Sequence, residues 1–357
     1  MTKTPRGPIL ITGGAGFIGC ALAKQLLAQG ETEIWAADSL LPQVHRERRI
    51  PDRLPPEVRF VPFDVSHEAS WEALLATVRP VVVVHLAAET GTGQSLTEAS
   101  RHAVVNVVGT TRMLDAFSTS GWVPEHFVLA SSRAVYGEGQ WRSGELVACP
   151  GIRRHEDLAG GRWLPQGLKD PVPEPSRAGT TPANPTSVYG ATKLAQEHVL
   201  RAWCGASGAS LSLLRLQNVY GPGQSLTNAY TGIVSLFARQ ARGGDTIDVY
   251  EDGHIIRDFV FIDDVVDAIS RSLACRPAFE RLLDIGSGSA TTILQLGRML
   301  AEIFDAPQPL VSGRFRDGDV RAAWADISAA KDEIGYVPTF DLPEGIRRLL
   351  DWMEEQS

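Results

Sequence analysis

Ile9-Leu10-Ile11-Thr12 runs straight into Gly13-Gly14-Ala15-Gly16-Phe17-Ile18-Gly19, and few sequence features restrict a fold so tightly. The short apolar run reads as a buried parallel strand. The stretch after Gly16 reads as a helix: Ile18, Leu22 and Leu26 share one face, Lys24 and Gln25 turn outward, and Gly30 supplies a C-terminal stop. Strand, glycine turn and helix together aim unpaired backbone N–H groups and a positive helix end at a diphosphate. The glycines allow a tight turn, close approach of a ligand, and close packing of helix on strand. Asp38 ends the next apolar run, Glu33-Ile34-Trp35-Ala36-Ala37-Asp38. An acid about 20 residues past the glycines is placed to take ribose hydroxyls. Its charge would repel a 2′-phosphate, so the pattern predicts a site for NAD rather than NADP.

The same rhythm continues. Val58–Asp64 is a strand ending in an acid, and Glu68–Val78 carries Trp71, Leu74, Leu75 and Val78 on one helical side. Val81–Leu86 opens with four β-branched valines and stays without alternation, as a strand covered on both faces should. Ser100–Ser120 and Ser187–Ser207 read as helices, and His126–Ser131 and Leu211–Leu216 as strands. The alternation predicts an α/β fold with a Rossmann-type doubly wound parallel sheet and ligands at the strand carboxyl ends. Two stretches break the pattern. Residues 138–185 are rich in Gly, Pro, Arg and Trp without periodicity, as functional or disordered loops are. After Tyr220-Gly221-Pro222-Gly223 the chain turns to helices and short strands. We therefore expect a dinucleotide-binding domain over 1–217, with 138–185 as an insertion shaping the substrate pocket or a subunit contact. A smaller mixed α/β domain follows over 218–357, with part of 258–288 packing back on the first.

Composition narrows the partners. A 357-residue chain with 43% hydrophobic and 21% charged residues fits an ordinary soluble globular protein. The net charge of −8 argues against nucleic acid, leaving room for a local basic pocket. No apolar stretch approaches a membrane span. Met1–Pro8 lacks the apolar core of a signal peptide. Cys20, Cys149, Cys204 and Cys275 have neither disulfide nor metal spacing, and the eight histidines lack metal spacing. A cytoplasmic, reduced, metal-free protein is expected. His85, at a strand end, reads as a packed core residue, and Arg46-Glu47-Arg48-Arg49 as a solvated loop.

Chemistry concentrates in two places. Tyr189-Gly190-Ala191-Thr192-Lys193 puts a phenol and an ammonium on one helical face. A cation held near the phenol, with the cofactor's positive ring nearby, favours phenolate and lowers its pKa towards neutrality. Ser131-Ser132-Arg133-Ala134-Val135-Tyr136-Gly137 follows a strand, where a hydroxyl would face a cofactor and hold the oxygen that the phenol deprotonates.

Gly13-x-x-Gly16-x-x-Gly19, Asp38, Asp64-Val65, Leu86-Ala87-Ala88, Asn106, Ser132, Tyr189-x-x-x-Lys193 and Arg257-Asp258-Phe259 together resemble an extended short-chain dehydrogenase/reductase. More narrowly, the chain is similar to the NAD-dependent nucleotide-sugar epimerases and dehydratases. The resemblance covers nearly the whole chain and implies a tightly kept NAD and a Ser132, Tyr189 and Lys193 catalytic set. It implies cofactor contacts for Gly13, Gly16, Phe17, Ile18, Gly19, Asp38, Leu86, Ala87, Ala88, Asn106, Ser131, Tyr189 and Lys193, with Asp64 and Val65 flanking the adenine. For a nucleotide-diphosphate sugar it implies Glu89, Thr90, Ser132, Arg133, Asn218, Asn228, Arg257, Arg316 and Asp319. The two arginines also make physical sense, since a guanidinium fork matches phosphate oxygens and an acidic protein needs local cations. The helices at 100–120 and 187–207, with Val104, Val105, Val108, Val199 and Leu200, match those that pair across a homodimer in the family.

The family's 4,6-dehydratases carry an Asp-Glu pair directly after the catalytic hydroxyl residue, and its decarboxylases keep a glutamate in that segment. Here Arg133-Ala134 stands there, and neither is an acid/base at neutral pH. One proton shuttle and one hydride remain, which fits 4-epimerisation. The segments Gln217–Leu226, Asn228–Ile233 and Ser131–Gly139 are similar to bacterial epimerases acting on deoxythymidine-diphosphate 6-deoxyhexoses, with UDP-hexoses the alternative. A 4-ketoreductase drawing on exchangeable NAD(P)H, and a non-catalytic dinucleotide sensor, are the rival expectations.

Overall fold

The computed structural model of the chain describes residues 7–45, 48–225 and 232–356. Its main sheet has seven strands: β1 (Ile9–Thr12), β2 (Ile34–Asp38), β3 (Arg59–Pro62), β4 (Val82–His85), β5 (His126–Ser132), β6 (Ser210–Leu216) and β7 (Glu280–Ile285). They lie in the order β7-β6-β5-β4-β1-β2-β3, and every pairing is parallel. The order reverses between β1 and β4, where such sheets bind ligands.

Alternation along the strands divides the core in two. Ile9, Ile11, Ala36, Val82, Val84 and Leu214 face one layer, built with α1 (Phe17–Ala28) and helices from later in the chain. Leu10, Trp35, Val83, Phe127, Leu129 and Leu213 face the other, with α2 (Glu68–Thr77) and α3 (Val188–Ser207). Phe63 meets Trp71 edge-on at 4.6 Å in that second layer, and Phe117 meets Phe127 at 5.7 Å. β1 and β4 are buried at every position and β6 along its whole length, which explains why their sequences do not alternate.

The helix expected over 100–120 is helical from Ala99 to Ser120, but Ala103–Val108 has π geometry. Such a bulge shifts the side chains that follow it and is common at functional sites. After β6 the chain forms the short parallel ladder Asn218–Tyr220 with Phe259–Phe261. α4 (Ile262–Ala274) then packs on α1, and β7 returns to the main sheet. Helices Ile233–Arg242, Ile293–Ile303 and Leu342–Glu355 build the smaller lobe, while Ser328–Ile334 packs on β7 and α4.

Residues 138–185 are ordered rather than shapeless. Gln140–Ser143 pairs antiparallel with Leu146–Ala148 and with Val172–Glu174, and a short helix spans His155–Ala159. No described helix is long and apolar enough to cross a membrane.

Candidate active site

The carboxyl ends of β1, β2 and β4 form the first half of the site. Gly13 sits at φ +69°, and a Cβ there would lie 2.8 Å from Ala87 N; one at Gly19 would lie 2.5 Å from Gly13 O. Only glycine lets β1 turn beneath Leu86–Ala88 and α1 close on the turn. α1 starts from Gly16 with no side-chain cap and no acid in its first turn, leaving its leading N–H groups and dipole for an anion. Asp38 Oδ2 accepts from Ala15 N at 3.1 Å and Oδ1 from Leu40 N at 2.9 Å, which fixes the carboxylate beside the turn. A cradle that only glycine fits, an uncapped helix start and a fixed carboxylate are what a dinucleotide's diphosphate and ribose require. Phe17 lines the adjoining cleft, while Ile18 is half-buried against the core. Asp64 turns onto its own chain and accepts from Ser66 N at 2.8 Å; Val65 is buried.

The second half comes from β5 and α3. The Ser187 side chain accepts from Gly190 N at 3.1 Å and starts α3 so that Tyr189 falls in its first turn. A Cβ at Gly190 would lie 2.4 Å from Ala134 O, so glycine lets the helix close on the turn after β5. Ser132, Arg133 and Tyr189 thus line one cleft of about 250 Å³, with Phe17, Thr90 and Asn218. Arg133 Nε donates to Asn218 Oδ1 at 2.7 Å.

Burial sets the electrostatics of the phenol. It pushes Tyr189 up, against a hydrogen bond from Ser132 and the charge of Arg133. The Lys193 ammonium donates to Gln196 Oε1 at 2.5 Å, and burial holds its pKa down at about 7 against the pull of Glu197. A lowered phenol pKa is therefore not a property of the protein alone, because burial outweighs both helpers. His85 is buried as expected and kept neutral, with its pKa at about 3 through burial and then the Lys193 charge.

Three further residues expected at the site have partners within the protein. Asn106 is 0% exposed. Its Oδ1 accepts from Glu89 N at 2.8 Å, and its Nδ2 donates to Glu89 O and to Thr192 Oγ1, each at 3.0 Å. It clamps the segment after β4 to α3. Ser131 donates to Glu197 Oε1 at 2.5 Å, which commits its hydroxyl to the protein. Glu89 pairs with Arg101 Nε at 2.9 Å and is not among the cleft-lining residues, whereas Thr90 is. Asn228 lies outside the described residues.

Arg257 is buried and pairs with Asp319 Oδ1 at 2.6 Å. Arg316 is exposed, with its guanidinium 5.2 Å from the centre of the Tyr250 ring. The insertion braces this region. Arg153 meets Glu138 at 2.9 Å and Glu251 at 2.8 Å and donates to the Asp319 carbonyl at 2.9 Å; Arg321 meets Glu251 at 2.8 Å. His155 and Trp163 pack on Phe315. None of Glu138, Arg153, Glu251, Arg321 or Tyr250 was singled out from the sequence, because their partners lie far along the chain. Gln196 and Glu197 were also missed, although their spacing from Lys193 could have revealed them.

Fold and site together define a Rossmann-type dinucleotide-dependent enzyme. The NAD dependent epimerase/dehydratase family matches residues 9–156 and 161–281, and the chain belongs to that family. It is 52% identical over 349 residues to the dTDP-L-rhamnose 4-epimerase of Burkholderia thailandensis, covering 98% of this chain and 95% of that one. It is 30% identical over 348 residues to the UDP-glucose 4-epimerase of Mycolicibacterium smegmatis, covering 98% and 99%. Among solved structures it resembles the Thermotoga maritima UDP-glucose 4-epimerase with UDP-glucose, with a TM-score of 0.80, 28% identity, and 98% and 99% of the chains covered. The Thermus thermophilus UDP-glucose 4-epimerase in complex with NAD gives a TM-score of 0.78 at 27% identity, covering 98% and 100%.

Proposed function

We propose that this chain is a nucleotide-sugar 4-epimerase that acts on a dTDP-6-deoxyhexose of the rhamnose type, with Tyr189 exchanging the proton at the hexose O4. One observation carries the reading: Tyr189, Ser132 and Arg133 share a cleft beside the glycine cradle. The two positions after Ser132 hold Arg133 and Ala134, where elimination of water would need a carboxyl group. Glu138, further along, is tied to Arg153 and to Arg321 N, so it does not supply one.

The glycine turn and the start of α1 would hold the NAD diphosphate, Asp38 the adenosine ribose, Leu86–Ala88 the middle of the cofactor and Lys193 the nicotinamide ribose, its charge easing ionisation of Tyr189. Bound NAD supplies the oxidation and re-reduction at C4, so the sugar passes through a 4-keto stage and no cofactor is consumed. Tyr189 takes the O4 proton as the ketone forms and returns it to the same oxygen once the sugar has turned its other face, while Ser132 holds that oxygen in place. Arg257 and Arg316 would grip the sugar nucleotide's diphosphate. Arg257 would exchange Asp319 for phosphate oxygens, a like-for-like swap of anionic partners. Arg133 is held through Nε by Asn218 and leaves its Nη groups for the hexose.

The 52% identity to a dTDP-L-rhamnose 4-epimerase over nearly the full chain supports the substrate class. The likeness to UDP-glucose 4-epimerases favours a UDP-hexose as the second reading. Four free thiols support a reducing cytoplasmic setting. Val104 and Val108, 45% and 38% exposed on the π-bulged helix, support a homodimer formed through that helix and α3, which light scattering in solution would test. The deciding experiment is NMR of products from dTDP-, UDP- and GDP-hexoses without added cofactor. We expect dTDP-L-rhamnose to interconvert with its C4 epimer and Tyr189→Phe to abolish the exchange. Turnover only with added NAD(P)H would instead identify a 4-ketoreductase, and no turnover with any sugar a sensor.

A further inference from the structure

Behind Lys193 runs a buried chain of hydrogen bonds. Lys193 Nζ donates to Gln196 Oε1 at 2.5 Å, and Gln196 Nε2 donates to Thr110 Oγ1 at 2.8 Å. Thr110 donates to the Asn106 carbonyl at 2.6 Å. His85 Nε2 lies 3.0 Å from Thr110 Oγ1, and its Nδ1 2.7 Å from Thr12 Oγ1. All of these side chains are buried. The directions follow from chemistry. A carbonyl only accepts, so the single Thr110 proton goes to Asn106 and its oxygen is left as an acceptor. Gln196 must therefore present its NH2 to Thr110, which leaves its carbonyl facing Lys193. Turning the amide over would lose both the Lys193 and the Thr110 bonds, leaving only the 3.3 Å approach to His85 Nε2.

We propose that Gln196 is a positioning residue: its locked carbonyl holds the Lys193 ammonium in place and charged, one helical turn from Tyr189. The inference rests on the Tyr189 and Lys193 roles proposed above. Removing a buried cation's acceptor favours its neutral form. Burial already brings the Lys193 pKa to about 7, so a small further push changes its charge near neutral pH. The groups facing Lys193 are few. Glu197 lies one turn on along α3, held by Arg215 of β6 at 2.7 Å and by Ser131 of β5. His85 of β4 is neutral, and Tyr189 precedes on the same helix, faced by Arg133 from the turn after β5.

The test uses the full chain, with Gln196→Leu and Gln196→Glu compared over pH by kcat and by the tyrosinate absorbance that Tyr189→Phe removes. The leucine variant should move the alkaline limb of kcat down by about one pH unit and lower kcat at neutral pH about fivefold, with KM within about twofold. Its Tyr189 phenol should ionise at higher pH. The glutamate variant should move the limb the other way and ease that ionisation. Profiles that overlay the parent's, or that move in the same direction for both variants, would overturn the proposal. Should the leucine variant fail to fold, the near-isosteric glutamate variant decides alone by the sign of its shift. Full turnover in Lys193→Met would sink the underlying assignment instead. An inactive Lys193→Met beside unshifted Gln196 variants would sink only the role of Gln196.

Discussion

Glu197→Gln tests how the site is assembled. The Glu197 carboxylate sits on α3 at 0% exposure and receives Arg215 Nε at 2.9 Å and Nη2 at 2.7 Å, with the Ser131 hydroxyl at 2.5 Å. It therefore sets the helix that carries Tyr189 against the two strands whose ends carry Ser132 and the cleft floor. Breaking one side of a buried, bidentate pair costs about 3–5 kcal/mol, because the guanidinium keeps its charge without a partner. At the usual per-residue entropy, a chain of 357 residues unfolds with about 0.75 kcal/mol/K, so Tm should fall by about 4–7 °C. Turnover should fall on the order of tenfold, since a small misplacement of α3 spoils the reacting geometry. Calorimetry and steady-state kinetics on the same preparation read both. Replacing the pair together, as Glu197→Leu with Arg215→Met, should recover most of the stability because no charge is left stranded. A Tm within about 1 °C of the parent for Glu197→Gln would refute the reasoning and show that Arg215 takes another partner freely.

Gly19→Ala forces a methyl to within 2.5 Å of Gly13 O, so the variant should purify without NAD, as nucleotide release on denaturation would reveal. Arg257→Met should raise KM about tenfold to a hundredfold, the loss of a charged hydrogen bond, while kcat stays within about twofold. Asp284 is buried and accepts from Tyr136 Oη at 3.0 and 2.9 Å, and burial raises its pKa from 3.8 to about 7. Between those values the folded form holds a proton that the unfolded chain has released, so its contribution to stability falls as pH rises through the window and levels off above it. Asp284→Asn should flatten that fall, and urea midpoints at about pH 5 and about pH 8 would show no difference from the parent if the assignment were wrong.

What the sequence revealed is what short spacing controls. The glycine turn, Asp38 and the Tyr189/Lys193 face are written within a few residues or one strand-helix-strand unit, and each occupies the expected place in the fold. The alternation of buried strands with helices likewise gave the sheet. The π geometry at Ala103–Val108 left no trace, because it follows from Asn106 reaching across to Glu89 and Thr192. Residues 138–185 looked shapeless for a related reason: Arg153 is organised by Glu138, Glu251 and the Asp319 carbonyl, partners up to the far end of the chain. Helix spacing showed Lys193 one turn from Tyr189 but not the second cation, because packing from another strand end brings Arg133 to the phenol.

The path of the backbone has its own consequence. The chain leaves the main sheet after Leu216, comes back through α4 and β7, and leaves again beyond Ile285. Several covalent tethers side by side resist the swing that a single flexible joint would permit. Opening of the cleft by rotation of one half against the other is therefore disfavoured relative to local shifts of the segments around it. Retention of an unstable ketone would be a by-product of how the two halves are stitched together.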